Sequence, residues 1–254
     1  MSVGRKKLNA IISTTEEKSK KMPLDIIIVG ASGGIGQYLV RSLSRENRII
    51  GTFFSATPSS LAEGAEYFKV DVTKSKDVTS FLNDIGASLS MPILIYTPGI
   101  SPNSVTTKIV DQDWNDTLAV NLTGGMYCSR AILPWMRQLK YGRIIFLTSV
   151  LSRIAVAGTL GYSVTKSGLC AMAKVIAIEN ASKGITANAI ALGYFDIGII
   201  KAVPKDFLNN HVIPEIPEKR LGNPANIVSA INFIIDSDYL TGSVIDLNGG
   251  IVSA

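Results

Sequence analysis

A chain of 254 residues with 46% hydrophobic and 18% charged side chains has the composition of a globular core, and with no composition break or long linker it reads as one α/β domain of the larger kind. Most of the net charge of +5 lies in residues 1–22, where Arg5, Lys6, Lys7, Lys18, Lys20 and Lys21 outnumber Glu16 and Glu17; a basic N-terminal extension thus precedes a nearly neutral domain over 23–254, which argues against a nucleic-acid-binding face. No run reaches the roughly 20 apolar residues of a membrane helix, the extension lacks a secretory apolar stretch, and Cys128 and Cys170 lack metal-ligand spacing, so a cytoplasmic protein with reduced thiols and no metal or membrane partner is expected.

Short Val- and Ile-rich runs alternate with longer stretches of helical period. Strands are expected over 24–29, 48–53, 65–70, 92–97, 143–148, 186–192 and 243–247, and helices over 34–45, 74–89, 111–140, 160–183 and 224–236. Runs such as DIIIVG and GRIIFLT are continuously apolar, as strands buried on both faces must be. The order predicts a Rossmann-type doubly wound parallel sheet.

The first strand runs into VGASGGIG, which sets Gly30, Gly34 and Gly36 at the turn into a helix. Glycines there let a diphosphate approach the backbone, while the free amides of the helix start attract its charge. Ser32 and Ile35 are counted with them as cofactor contacts. The alternative is a plain glycine-rich turn. Later, GYSVTKSG places Tyr162 and Lys166 one helical turn apart on one face, where an ammonium favours the ionised form of a phenol. The segment 193–217 is irregular and holds Pro204, Pro214, Pro217 and the single histidine, His211. It follows a strand's carboxyl end and is read as a mobile substrate lid, with His211 as a surface residue.

These motifs together resemble the short-chain dehydrogenases/reductases from about residue 24 to the C-terminus. DVT at 71–73 is similar to the family's adenine-side segment, with Asp71 and Val72 as contacts. VNLTG puts Asn121 in the middle of a long helix, LTS puts Ser149 at a strand end thirteen residues before Tyr162, and RLGNPANI and YLTGSVIDLNGG resemble the C-terminal segments. The resemblance implies that Tyr162 protonates a carbonyl oxygen in reduction, with Lys166 and the oxidised nicotinamide lowering its pKa. It further implies that Lys166 holds the nicotinamide ribose, that Ser149 binds the substrate oxygen and that Asn121 positions a proton-relaying water.

Three departures from the family pattern stand out. YTPG at 96–99 keeps Gly99 but has Thr97 for a carboxamide and Pro98 without an amide. After the sixth strand, Leu192 and Gly193 stand for Pro-Gly, and Ile197 stands for a threonine near the nicotinamide amide. The end of the second strand, GTFFSATPSS, has no acid to repel a 2′-phosphate, which favours NADPH over NADH with Ser55, Thr57 and Ser59 as candidate ligands.

GRIIFLTS, SKGIT and the C-terminus are closest to 3-oxoacyl-acyl carrier protein reductases, where Lys140 and Lys183 fall at positions that meet an acidic carrier protein; lysines at helix ends are the plainer explanation. The expected substrate is a 3-oxoacyl thioester, carrier-bound or free, or a biosynthetic ketone or sugar. The competing function is a cofactor-binding sensor or scaffold without catalysis. By resemblance the protein is a homodimer or homotetramer, with Met126, Trp135, Met136 and Met172 as interface or core residues.

Overall fold

A computed structural model describes residues 22–55 and 65–252. The candidate phosphate ligands Thr57 and Ser59 and the extension over 1–21 lie outside the described residues.

All seven expected strands form: β1 (Asp25–Val29), β2 (Arg48–Phe53), β3 (Ala65–Lys69), β4 (Pro92–Tyr96), β5 (Gly142–Ser149), β6 (Ile185–Leu192) and β7 (Val244–Leu247). They make one sheet in the order β3-β2-β1-β4-β5-β6-β7 with every pair parallel. The order reverses between β1 and β4, so a crevice opens there at the carboxyl ends.

Successive residues of each strand point to opposite faces, which builds two cores. Ile27, Val29, Leu94, Tyr96, Ile144 and Phe146 meet helices α2 (Ser75–Gly86), α4 (Gly124–Leu139) and α5 (Leu160–Asn180). Ile26, Ile28, Ile93, Ile95 and Ile145 meet α1 (Gly34–Leu43) and α6 (Ala225–Asp236). Met136 lies in the first core, Met172 packs against it and Trp135 packs on Gly86, so three of the four interface candidates serve the fold of the chain itself.

The helix expected over 111–140 is interrupted. The helix α3 (Asp111–Leu118) passes into a π turn over Ala119–Thr123 before α4 continues it. The segment 193–217 contains short helical turns, and its ends are pinned by buried Phe195, bridged to Gly222, and by buried Ile216. His211 is exposed and lies 4.8 Å from the Phe207 ring.

Lys140 ends α4 in a left-handed conformation (φ 52°), and Lys183 ends the turn that follows α5. Both are exposed at the amino ends of β5 and β6. An eight-residue strand such as β5 spans about 26 Å at about 3.3 Å per residue, so these lysines lie at the far end of the sheet from Ser149. They do not flank this chain's own site, and each caps the carboxyl end of a helix or turn, where a cation is favourable.

Candidate active site

The glycine-rich turn occupies the reversal point of the sheet. Gly30 has φ 80°, and a Cβ there would stand 2.7 Å from Thr97 Oγ1, so the turn admits only glycine without strain. A Cβ on Gly36 would run into the Gly30 carbonyl, and its absence lets α1 begin tight against β1. The first-turn amides of α1 have no intrahelical acceptor and lie beside this turn, an anion site by construction. Gln37 Nε2 donates to the Ser32 carbonyl at 2.9 Å and steadies the turn. The short helical turn Gly198–Ala202 packs on it: a Cβ on Gly34 would lie 2.9 Å from Gly198 Cα, and Ile35 would meet a Cβ on Gly198.

Asp71 follows β3 and is buried. Its Oδ1 accepts from the Thr73 amide (3.0 Å) and hydroxyl (2.6 Å), and Lys74 Nζ lies 3.4 Å from Oδ2. Burial pushes the carboxyl up, but the Thr73 bonds and the Lys74 cation outweigh it and leave the pKa below the ordinary value. The neighbouring Val72 packs between the first core and Gly124, while Ser55 is exposed beyond the end of β2. Across the crevice Gly193 follows β6 with its amide donating to Leu247, and a Cβ there would strike Asn248.

Tyr162 and Lys166 flank Gly99, Asn121 holds the next residue, Ile100, and Ser149 stands at the end of β5 facing Tyr162. Lys166 is buried, and its Nζ donates to the carbonyls of Leu147 (2.9 Å) and Pro98 (3.1 Å), which leaves one ammonium proton. The same nitrogen lies 5.5 Å from the Tyr162 ring centroid. A Cβ on Gly99 would stand 3.3 Å from it and 3.6 Å from Tyr162 Cε2, so glycine keeps this wall open. Ser149 Oγ accepts from the Leu151 amide at 3.1 Å, and its hydroxyl faces the Tyr162 phenol, where it favours the ionised form.

Burial pushes the Tyr162 phenol up to about 12, against an opposing hydrogen bond with Ser149. Burial also lowers Lys166 to about 8. The expected depression of the phenol by Lys166 is therefore not a property of the protein alone. Desolvation of the half-buried Tyr162 outweighs the Ser149 hydroxyl, while the Lys166 ammonium is aimed at two backbone carbonyls.

Asn121 sits in the π turn, fully buried. Its Oδ1 accepts from the Ile100 amide (2.8 Å), and Nδ2 donates to the Ile100 carbonyl (2.9 Å) and to Thr165 Oγ1 (3.2 Å). Both amide protons are thus engaged within the protein, so the carboxamide has only acceptor capacity left for a water. Thr165 also donates to the Tyr162 carbonyl at 2.8 Å, which links Asn121 to the tyrosine turn. Thr165 lies inside GYSVTKSG and adjoins Lys166 on the same helix, yet a threonine in a helix carries no chemical signal of its own in the sequence.

The departures have local explanations. Thr97 Oγ1 donates to Val29 O at 2.7 Å and lies 3.3 Å from Gly30 O, so it ties β4 to the glycine-rich turn. Pro98 gives up an amide but supplies the carbonyl that Lys166 uses. Ile197 is half-buried against the second core, with Cγ1 facing Gly34 where the family pattern expects a hydroxyl. Beside Gly99 opens a cavity of about 380 Å³ lined by Ile100, Asp113, Asp116 and Ile199 among others.

Comparison with known proteins agrees with this geometry. Residues 30–252 match the family described as enoyl-(acyl carrier protein) reductase. An acetoacetyl-CoA reductase of Rhizobium meliloti is 30% identical over 88% of the chain and 96% of its own length. The 3-oxoacyl-[acyl-carrier-protein] reductase of Salmonella typhimurium is 30% identical over 88% of the chain and 95% of its own length. A solved structure described as ElxO with NADP bound superposes with a TM-score of 0.83 at 24% identity, covering 92% of the chain and all of its own, a likeness of fold.

Proposed function

The chain belongs to the short-chain dehydrogenase/reductase family, and from that premise we propose that it reduces a ketone to a secondary alcohol with NADPH, Tyr162 delivering the proton. The observation that carries the reading is the convergence of Ser149, Tyr162 and Lys166 on the carboxyl end of β5, beside a cavity large enough for a small substrate.

The crevice fits a nicotinamide dinucleotide. In this reading Gly30 and Gly36 would clear the backbone where a diphosphate meets the start of α1, Asp71 and Val72 would face the adenine, and Gly99 and Gly193 would leave room at the reacting end. Bound there, the cofactor supplies hydride. The remaining proton of Lys166 would hold ribose hydroxyls, and the Ser149 hydroxyl would turn to the substrate oxygen and stabilise negative charge developing there. With its phenol at about 12, Tyr162 stays protonated at neutral pH, as a general acid for reduction must.

NADPH is preferred to NADH in this reading because the sequence has no acid from Gly51 to Ala62. A 3-oxoacyl thioester is the first substrate to try, since two relatives are named for such reductions. A homo-oligomeric assembly and a cytoplasmic location complete the proposal.

The test follows NADPH and NADH consumption with 3-oxoacyl thioesters and simpler ketones, comparing wild type with Tyr162→Phe. Loss of about a hundredfold or more in kcat, with cofactor binding retained, is expected. If wild type binds cofactor yet turns over no ketone, the non-catalytic alternative gains.

A further inference from the structure

Tyr96, the last residue of β4, is fully buried between the sheet and the helix carrying Asn121. Its ring meets Phe146 edge-on, with centroids 6.3 Å apart and planes at 66°. A phenol so placed needs a partner for its hydroxyl, because an unpaired polar group in an apolar interior is costly. The partner is the Val120 carbonyl, in the middle of the π turn.

The choice of acceptor matters. In a regular α-helix the Val120 carbonyl would take the amide of Gly124, four residues on. That amide instead donates to Ala119, the five-residue spacing of a π turn. The Tyr96 hydroxyl supplies the donor that the wider turn withdraws from Val120. Gly124 completes the fit, since a Cβ there would run into the Tyr96 oxygen.

We infer that Tyr96 is a positioning residue: its hydroxyl, bonded to the carbonyl of Val120, holds open the π turn that aims Asn121 at Ile100 and so sets the wall behind Tyr162 and Lys166. An added residue in the turn rotates every later side chain about the helix axis relative to a regular helix. Asn121 then grips Ile100 through both its amide and its carbonyl. Two residues earlier, the Pro98 carbonyl takes a proton of Lys166. Loss of the hydroxyl would let the turn relax and pass the displacement along this path.

The effect on turnover rests on the ketoreductase reading; the effect on the turn does not. Tyr96→Phe keeps the ring and removes only the hydroxyl. Expected are a kcat lowered about tenfold with ketone KM and NADPH affinity within about twofold of wild type, the signature of misplaced groups rather than lost binding. Faster amide hydrogen exchange over residues 119–125 is expected with it. A wild-type kcat overturns the inference, even if the variant melts earlier.

If Tyr96→Phe fails to fold, Gly124→Ala displaces the same hydroxyl and is read in the same way. A wild type inactive on every ketone would sink the functional proposal alone. Exchange over 119–125 then decides this one, unchanged rates in Tyr96→Phe overturning it.

Discussion

The Lys166 ammonium lies beneath the ring of Tyr162, 5.5 Å from its centroid, while two of its protons go to the carbonyls of Leu147 and Pro98. The pair predicted from their spacing is real, but the contact is with the ring and the shared backbone wall. In the protein alone the two groups titrate apart, near 12 for the phenol and near 8 for the amine.

That separation fixes the sign of a pH effect. Lys166 is charged below its folded pKa of about 8 and neutral above it, whereas Tyr162 keeps its proton throughout the assay range. Reduction should therefore lose kcat/KM for NADPH as pH rises through about 8, by about tenfold per unit at the limit, with the limb reporting the lysine of the free enzyme. Lys166→Arg, whose cation persists, should move the limb to higher pH. A limb unmoved by arginine would assign it to another group.

Gly36→Ala tests the cradle at the start of α1. Its Cβ would stand against the Gly30 carbonyl and 2.8 Å from Ala31 Cα, both main chain and unable to give way cheaply. The helix must lift from β1, so NADPH dissociation should increase about tenfold or more while stability falls by about 1–3 kcal/mol, the cost of overpacking. Fluorescence titration and denaturant unfolding measure the two. Wild-type affinity would show that the helix start does not hold the diphosphate.

Thr97→Val removes the hydroxyl that ties β4 to Val29 and Gly30 while preserving shape. Stability should drop by about 1 kcal/mol, the net worth of one such bond, and NADPH should bind a few-fold more weakly because the Gly30 turn is looser. Thr97→Ser should restore both. If valine is neutral on both counts, Thr97 fills space only.

Much of this architecture was legible in the chain. Continuously apolar runs announced strands buried on both faces, and the interval from DIIIV to GGIG announced a strand, a turn and a helix start; all three formed. Both signals are local, fixed by the two-residue period of a strand and by the few backbone shapes that glycine alone adopts. The convergence of Asn121, Ser149, Tyr162 and Lys166 was also expected, although from family resemblance rather than from spacing.

By itself, then, the sequence determined the order of elements, the parallel sheet and the set of candidate side chains, because these follow from period, turn chemistry and motif. Only tertiary packing decided the rest. The π turn at Asn121 depends on a hydroxyl 24 residues away, supplied by Tyr96 across a layer boundary. Lys140 and Lys183 acquired their place at the far end of the sheet from the direction in which β5 and β6 run. The raised phenol of Tyr162 and lowered amine of Lys166 come from desolvation, which depends on everything packed around a group and on nothing adjacent to it in the chain.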